Sequence, residues 1–265
     1  MNDGAELKSC CAAAYQSDFA RALLGDSFHP GGLELTARLG ELLELKPGDE
    51  LLDVAAGIGD SAIFLAQRFG CRVTGIDFGA GNVAEARARA EAAGVANLVQ
   101  FEQGDAERVD YPDAGFDSVV CECAFCTFPD KRAAAAEFGR ILRPGGRLGL
   151  SDLTRSRALP PELNGLLAWI ACIGDAQPVG EYISHLEVAG FETLVVESHD
   201  DALKKMIRDI QGRLLAAELM AKLRKMELAG VDFQEAKVMA RCAADAVRAG
   251  SLGYCLITAR KRSCY

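Results

Sequence analysis

Glu50-Leu51-Leu52-Asp53-Val54-Ala55-Ala56-Gly57-Ile58-Gly59-Asp60 decides how this chain is read. The run reads as a buried strand that passes through a glycine turn and opens a helix over residues 61–69, with Ile63, Phe64, Leu65 and Phe69 as its apolar side chains. Glycines at 57 and 59 let the backbone come close to a ligand, and the first turn of the helix offers unpaired N–H groups. The pattern predicts a nucleotide-type pocket at the carboxyl end of a strand. A Gly-x-Gly by itself also fits an ordinary tight turn, so the neighbouring segments have to decide.

They repeat the same unit. Cys71-Arg72-Val73-Thr74-Gly75-Ile76-Asp77-Phe78 reads as a second strand, and Asp77 lies about 20 residues beyond the glycine turn, where a carboxylate can accept both hydroxyls of a ribose. The plainer role for such an aspartate is to cap the next helix, over 81–93; the joint spacing favours the ribose. A third strand over 98–106 ends in Gly104-Asp105-Ala106, a fourth runs over 116–123, and a helix over 130–142 leads through Arg143-Pro144-Gly145-Gly146 into a fifth that reaches Asp152. Strands alternating with helices predict a parallel sheet covered on both faces, with ligands bound outside the carboxyl ends of its strands.

The rest of the chain frames this core. It has 265 residues, 50% of them hydrophobic, enough for one α/β core with an accessory element. A net charge of −9 without a basic run argues against nucleic acid and for small-molecule partners. The polar, acidic start (Met1-Asn2-Asp3-Gly4-Ala5-Glu6) is neither signal peptide nor anchor, and no later apolar run approaches a membrane span, so a soluble cytoplasmic protein is expected. Residues 1–46 read as an N-terminal helical segment, broken by His29-Pro30-Gly31-Gly32, a loop expected near the mouth of the site. His29 there could be a base, although a capping or solvated loop histidine is the commoner case. Residues 200–250 read as a helical insertion before a last strand over 253–261, within one domain whose core spans 47–198.

Asp53-x-x-x-Gly57-x-Gly59, the strand end at Asp77, Gly104-Asp105-Ala106 and Leu142-Arg143-Pro144-Gly145-Gly146 together resemble the class I S-adenosylmethionine-dependent methyltransferases. The resemblance covers residues 45–200. It implies a Rossmann-like, doubly wound, seven-stranded and mostly parallel sheet with helical additions, the final strand antiparallel. It further implies S-adenosylmethionine as cofactor, over the glycine turn, with the ribose at Asp77 and adenine near Asp105 and Ala106. The contacts carried over on the motif are Asp53, Ala55, Gly57, Gly59, Asp77, Phe78, Asp105, Ala106 and Cys121. Ala55 stands where many members carry glycine. A dinucleotide-dependent dehydrogenase is the competing reading, but its third glycine is replaced by Ala62 and the Leu-Arg-Pro-Gly-Gly turn has no place in it.

Ten cysteines remain to be explained, and a reducing compartment makes a disulfide framework the wrong explanation. Cys121-Glu122-Cys123-Ala124-Phe125-Cys126-Thr127-Phe128-Pro129-Asp130-Lys131, and the pairing of Trp169 with Cys172, resemble arsenite methyltransferases. On that match Cys123 and Cys172 are the thiolates that hold trivalent arsenic, with Cys10 or Cys11 as a candidate third ligand. Soft arsenic selects thiolates over hard donors, and three sulfurs leave its lone pair free to face a sulfonium methyl. Glu122 departs from the asparagine usual before the first of these cysteines. Other readings stay open: another small organic molecule or thiol as acceptor, a non-catalytic sensor, or a zinc half-site at Cys121, Cys123 and Cys126, which lacks a partner knuckle. No metal cofactor is expected, strand alternation makes Cys121 a packing residue, and the sequence leaves the oligomeric state unknown.

Overall fold

The structure is a computed structural model that describes residues 4–15, 23, 25, 28–163, 168, 171–222 and 232–263. Trp169 and Cys264 lie outside them.

The elements in chain order are α1 (Gly4–Tyr15), α2 (Gly32–Leu42), β1 (Glu50–Val54), α3 (Asp60–Phe69), β2 (Arg72–Asp77), α4 (Ala80–Ala92), β3 (Val99–Gln103), β4 (Phe116–Glu122), α5 (Lys131–Ile141), β5 (Leu142–Arg155), α6 (Val179–Val188), β6 (Phe191–Ser198), α7 (Asp200–Lys222), α8 (Phe233–Arg248) and β7 (Leu252–Lys261). Seven strands form one sheet in the order β3-β2-β1-β4-β5-β7-β6. The β1–β2, β1–β4, β2–β3 and β4–β5 pairs are parallel, and β7 runs antiparallel to both β5 and β6. The expected sheet is therefore present, antiparallel last strand included.

Alternation along β1 explains its unbroken apolar run. Leu51 packs into the cluster formed with α2, α3 and α4 (Leu39, Ala62, Leu65, Val83, Ala86), whereas Leu52 and Val54 pack into the cluster on the other face with α5 and α6 (Phe138, Ile141, Tyr182, Leu186). A strand buried on both faces has no polar side to show. The chain leaves β1 toward β2 and β3 on one side and later returns to β4 on the other. This switch point opens a crevice at the carboxyl ends of β1 and β4.

Among the described residues of 1–46, α1 and α2 are helical and a turn at 28–31 precedes α2, where the breaker cluster places a loop. One boundary differs from the sequence reading. The Arg143-Pro144-Gly145-Gly146 turn does not precede β5; it lies inside it. Phe116 pairs with Leu142 and Ser118 with Arg147, so β5 absorbs the extra residues as a bulge, with Gly145 at φ 78.

Gly59 shows how tightly the glycine turn is fitted. It caps α3 at φ 87, and a Cβ there would lie 2.5 Å from Phe101 Cζ and 3.0 Å from Ala86 Cβ. Gly57, at φ 55, has Phe28 Cδ2 as its nearest neighbour, at 4.0 Å. Gly59→Ala should therefore cost about 2–4 kcal/mol, combining left-handed backbone with overlap, and Gly57→Ala only about 1–2 kcal/mol. Urea unfolding of the two variants checks the order; equal midpoints would contradict it.

Candidate active site

The crevice at the switch point is a cleft of ≈ 1120 Å³ including its open mouth. Its floor is the glycine turn (Asp53, Ala55, Gly57, Ile58) and its far side is Asp77, Phe78 and Asn82. Glu122 and Cys123 at the end of β4 form one wall, Phe28 and His29 another, and Lys8, Cys11 and Ala12 of α1 stand over it. Lys8, Cys11 and Ala12 are spaced i, i+3, i+4, which puts all three on one helical face.

Asp77 is held rather than free. Its carboxylate accepts the Gly57 N–H (2.9 Å), the Gly79 N–H (2.8 Å) and the Asn82 side-chain amide (3.0 Å). It thus fixes the glycine turn of the preceding unit and the start of α4 together. Ala55 adopts φ 58, the left-handed conformation that glycine occupies without penalty; its methyl is tolerated at a cost of about 1 kcal/mol.

Two more carboxylates face the same space. Asp53 is 2% exposed, and its Oδ2 has no hydrogen-bond partner. Burial, reinforced by the charges of Glu122 and Asp77, pushes its carboxyl well above the ordinary range. Glu122 accepts the hydroxyls of Ser61 (2.6 Å), Thr36 (3.0 Å) and Ser151 (3.4 Å), and His29 Nε2 lies 3.7 Å away. A cavity with an orphan buried carboxylate oxygen, a second carboxylate held by neutral donors and a glycine floor suits a ligand that carries positive charge. S-adenosylmethionine, with a sulfonium and an ammonium, meets that requirement: Gly57 and Gly59 would let it approach the floor, and Asp53, Asp77 and Glu122 would face its polar groups.

The thiols gather beside this pocket. Cys123 lines it, and the Cys172 thiol donates to the Cys123 carbonyl at 3.1 Å. Both residues are in left-handed backbone (φ 53 and φ 62), a strain that surrounding structure must hold in place. A hydrogen bond with Cys172, then burial, raises the Cys123 thiol well above its usual range; burial, then a hydrogen bond with Cys172, does the same to Cys126. Burial pushes Cys11 up to about 12, with Cys172 and Cys10 adding to it. Asp152 lies behind them, accepting the N–H groups of Cys126 and Leu153, both at 2.8 Å. Burial, then the neighbouring Cys172, moves its carboxyl up to about 7.

Not every expected residue reaches the cleft. Cys121 is fully buried in the core packed against α5, off the cleft wall, because β4 ends at Glu122 and only Cys123 beyond it turns to the wall. Asp105 and Ala106 also stand back from the wall; Asp105 is paired with Lys8 (2.8 Å), which bonds Glu107 as well (2.5 Å). Cys10 is off the wall, whereas Cys11 is on it. Among the described residues no group of three or more His, Cys, Asp or Glu side chains is arranged to hold a metal ion, which leaves the zinc half-site without support. Lys8, Phe28, Thr36, Ser61, Asn82 and Glu122 were not expected in the site. Only Glu122 carried a signal, as the odd residue in the cysteine stretch.

Comparison with known proteins agrees with the fold and the cleft. A family model described as a methyltransferase domain matches residues 51–146. The 27-O-demethylrifamycin SV methyltransferase of Amycolatopsis mediterranei is 35% identical over 234 residues, covering 86% of this chain and 82% of the relative. Phosphoethanolamine N-methyltransferase 3 of Arabidopsis thaliana is 31% identical over 207 residues, 78% of this chain, which spans only 41% of that longer protein. Among solved structures, Haemonchus contortus phosphoethanolamine N-methyltransferase 2, in complex with phosphomonomethylethanolamine and S-adenosylhomocysteine, superposes with a TM-score of 0.80 at 19% identity, over 97% of this chain and 61% of that one. The chain belongs to the class I S-adenosylmethionine-dependent methyltransferases. S-adenosylmethionine is its cofactor. No described helix is long and apolar enough to cross a membrane.

Asp152 makes stability depend on pH in a definite direction. Its folded pKa, about 7, exceeds the unfolded value near 3.9, so between roughly pH 4 and 7 the folded state holds the extra proton. Stability therefore falls as pH rises through that window and levels off above it; Asp53 is shifted the same way and adds to the slope. Asp152→Asn should flatten the fall, so the variant gains on the wild type as pH increases. Urea midpoints from pH 5 to 8 test this, and parallel profiles would refute it.

Proposed function

We propose that this methyltransferase methylates trivalent arsenic held by the thiols of Cys123 and Cys172, with Cys11 as third ligand. The observation that carries the reading is the meeting of Cys123 and Cys172, 49 residues apart in sequence, at the edge of the cofactor cleft. Both are held in left-handed backbone, and Cys11 faces the cleft from α1. Cys10, off the wall, drops out as the ligand.

The protonation of the site suits a neutral oxyacid of arsenic. The raised thiols of Cys123 and Cys11 enter as S–H, and for each thiol the arsenic–sulfur bond forms as a hydroxide leaves with the thiol's proton as water. Three exchanges release three waters and leave no net charge behind. A divalent cation would instead have to displace those protons against the burial that holds them. Cys11, which lines the cleft from α1, supplies the third sulfur. The cofactor, when bound, supplies an electrophilic methyl group. The thiols aim the arsenic lone pair at it, and no proton has to leave the acceptor.

A second reading keeps the cofactor and changes the acceptor. His29 beside Glu122 in the cleft wall is a ready base–carboxylate pair for a hydroxyl or amine of a small organic molecule. The extensive likeness to a protein named for O-methylation of a rifamycin precursor favours it.

Incubation with arsenite, glutathione and S-adenosylmethionine should yield methylated arsenic. Cys123→Ser and Cys172→Ser should each lose arsenite binding while cofactor affinity stays within about twofold, since the sulfur–arsenic bond is what the serine cannot replace. Absence of product across a range of thiol concentrations, together with arsenite binding unchanged in both variants, would move the assignment to the organic acceptor.

A further inference from the structure

Charge in the cleft is unbalanced in a way that the acceptor does not explain. Asp53, Asp77 and Glu122 all face it, and none has a lysine or arginine ion-pair partner among the described residues. The one lysine on the wall, Lys8, is spent on Asp105 and Glu107. Asp77 is satisfied by N–H donors. Glu122 has a side chain 4% exposed, clamped by Ser61 and Thr36, hydroxyls from the starts of α3 and α2, and backed by Ser151, which in turn accepts the Tyr254 hydroxyl at 2.9 Å. That clamp fixes a carboxylate in place without neutralising it. Asp53, 2% exposed and with an unpartnered Oδ2, is pushed by burial toward its neutral form and leaves Glu122 as the charge to be matched.

We propose that Glu122 sets cofactor discrimination: a carboxylate fixed by its hydroxyl clamp that favours the sulfonium of S-adenosylmethionine over the neutral sulfur of S-adenosylhomocysteine. The two ligands differ by one methyl group and one positive charge. A buried, preorganised negative charge registers that difference far more strongly than bulk water would. Once the methyl has gone, Glu122 is left without its counter-charge, and the product is held less tightly than the cofactor that replaces it. The inference rests on the cofactor assignment and is independent of which acceptor is methylated.

Calorimetric titration of the full chain with S-adenosylmethionine, S-adenosylhomocysteine and sinefungin, which carries an amine in place of the sulfonium, tests it without turnover. The wild type should bind both cationic ligands about tenfold or more tightly than S-adenosylhomocysteine. Glu122→Gln keeps an acceptor for Ser61 and Thr36 and removes only the charge; it should bring the ratio close to one, by weakening the two cations while S-adenosylhomocysteine changes by about twofold or less. Equal binding of the three ligands by the wild type overturns the proposal, as does a parallel loss for all three in the variant. If the variant fails to fold, the wild-type comparison of sinefungin with S-adenosylhomocysteine decides alone. Binding of none of the three would refute the cofactor assignment itself, a result distinct from binding without discrimination.

Discussion

Everything around the cleft depends on the bonds made by one residue. Asp77 accepts the N–H of Gly57 from the turn after β1, the N–H of Gly79 and the Asn82 amide from the start of α4, and its own carbonyl accepts the N–H of Gly104 after β3 at 3.0 Å. Three consecutive βα turns are thus tied at a single point. Parallel strands bring their carboxyl ends together, but the sheet alone leaves the turns above them free to choose a conformation. A carboxylate with backbone donors from separate turns removes that choice. The same oxygens that line the cleft therefore also shape its floor.

Much of this could be read from the chain. The strand–turn–helix at 50–69 and the aspartate 20 residues beyond Gly57 rest on period, glycine placement and spacing, all local properties, whereas the antiparallel last strand was implied only by the resemblance to the methyltransferases. What escaped were contacts made by distant segments. Thr36 and Ser61 are unremarkable helix residues until folding brings both to Glu122, 86 and 61 positions away. Lys8 reaches Asp105 across 97. The β5 boundary was missed for a different reason: Pro144 and two glycines read as a stop, while the partner strand accommodates them as a bulge. Cys121 and Cys123 look equivalent in sequence; the end of β4 between them sends one into the core and the other to the wall.

Backbone strain marks the same region. Of the five described non-glycine residues with positive φ, three are Ala55, Cys123 and Cys172, on the cleft floor, its wall and directly behind that wall. Each conformation costs of order 1–3 kcal/mol and persists because its surroundings are over-determined. At Cys123 the constraint is visible: its N–H is pinned to the Ser151 carbonyl at 2.6 Å and its own carbonyl receives the Cys172 thiol. Part of the marginal stability of a domain this size offsets that strain.

The attachment of α1 has a mechanical meaning. Among the described residues, Lys8 ties the helix to the core through ion pairs with Asp105 and Glu107, 97 and 99 positions away. Lys8, Cys11 and Ala12 share one helical face, so tether, thiol and cover are rigidly linked. A change that displaces Lys8 therefore moves the Cys11 thiol and the cover of the cleft together.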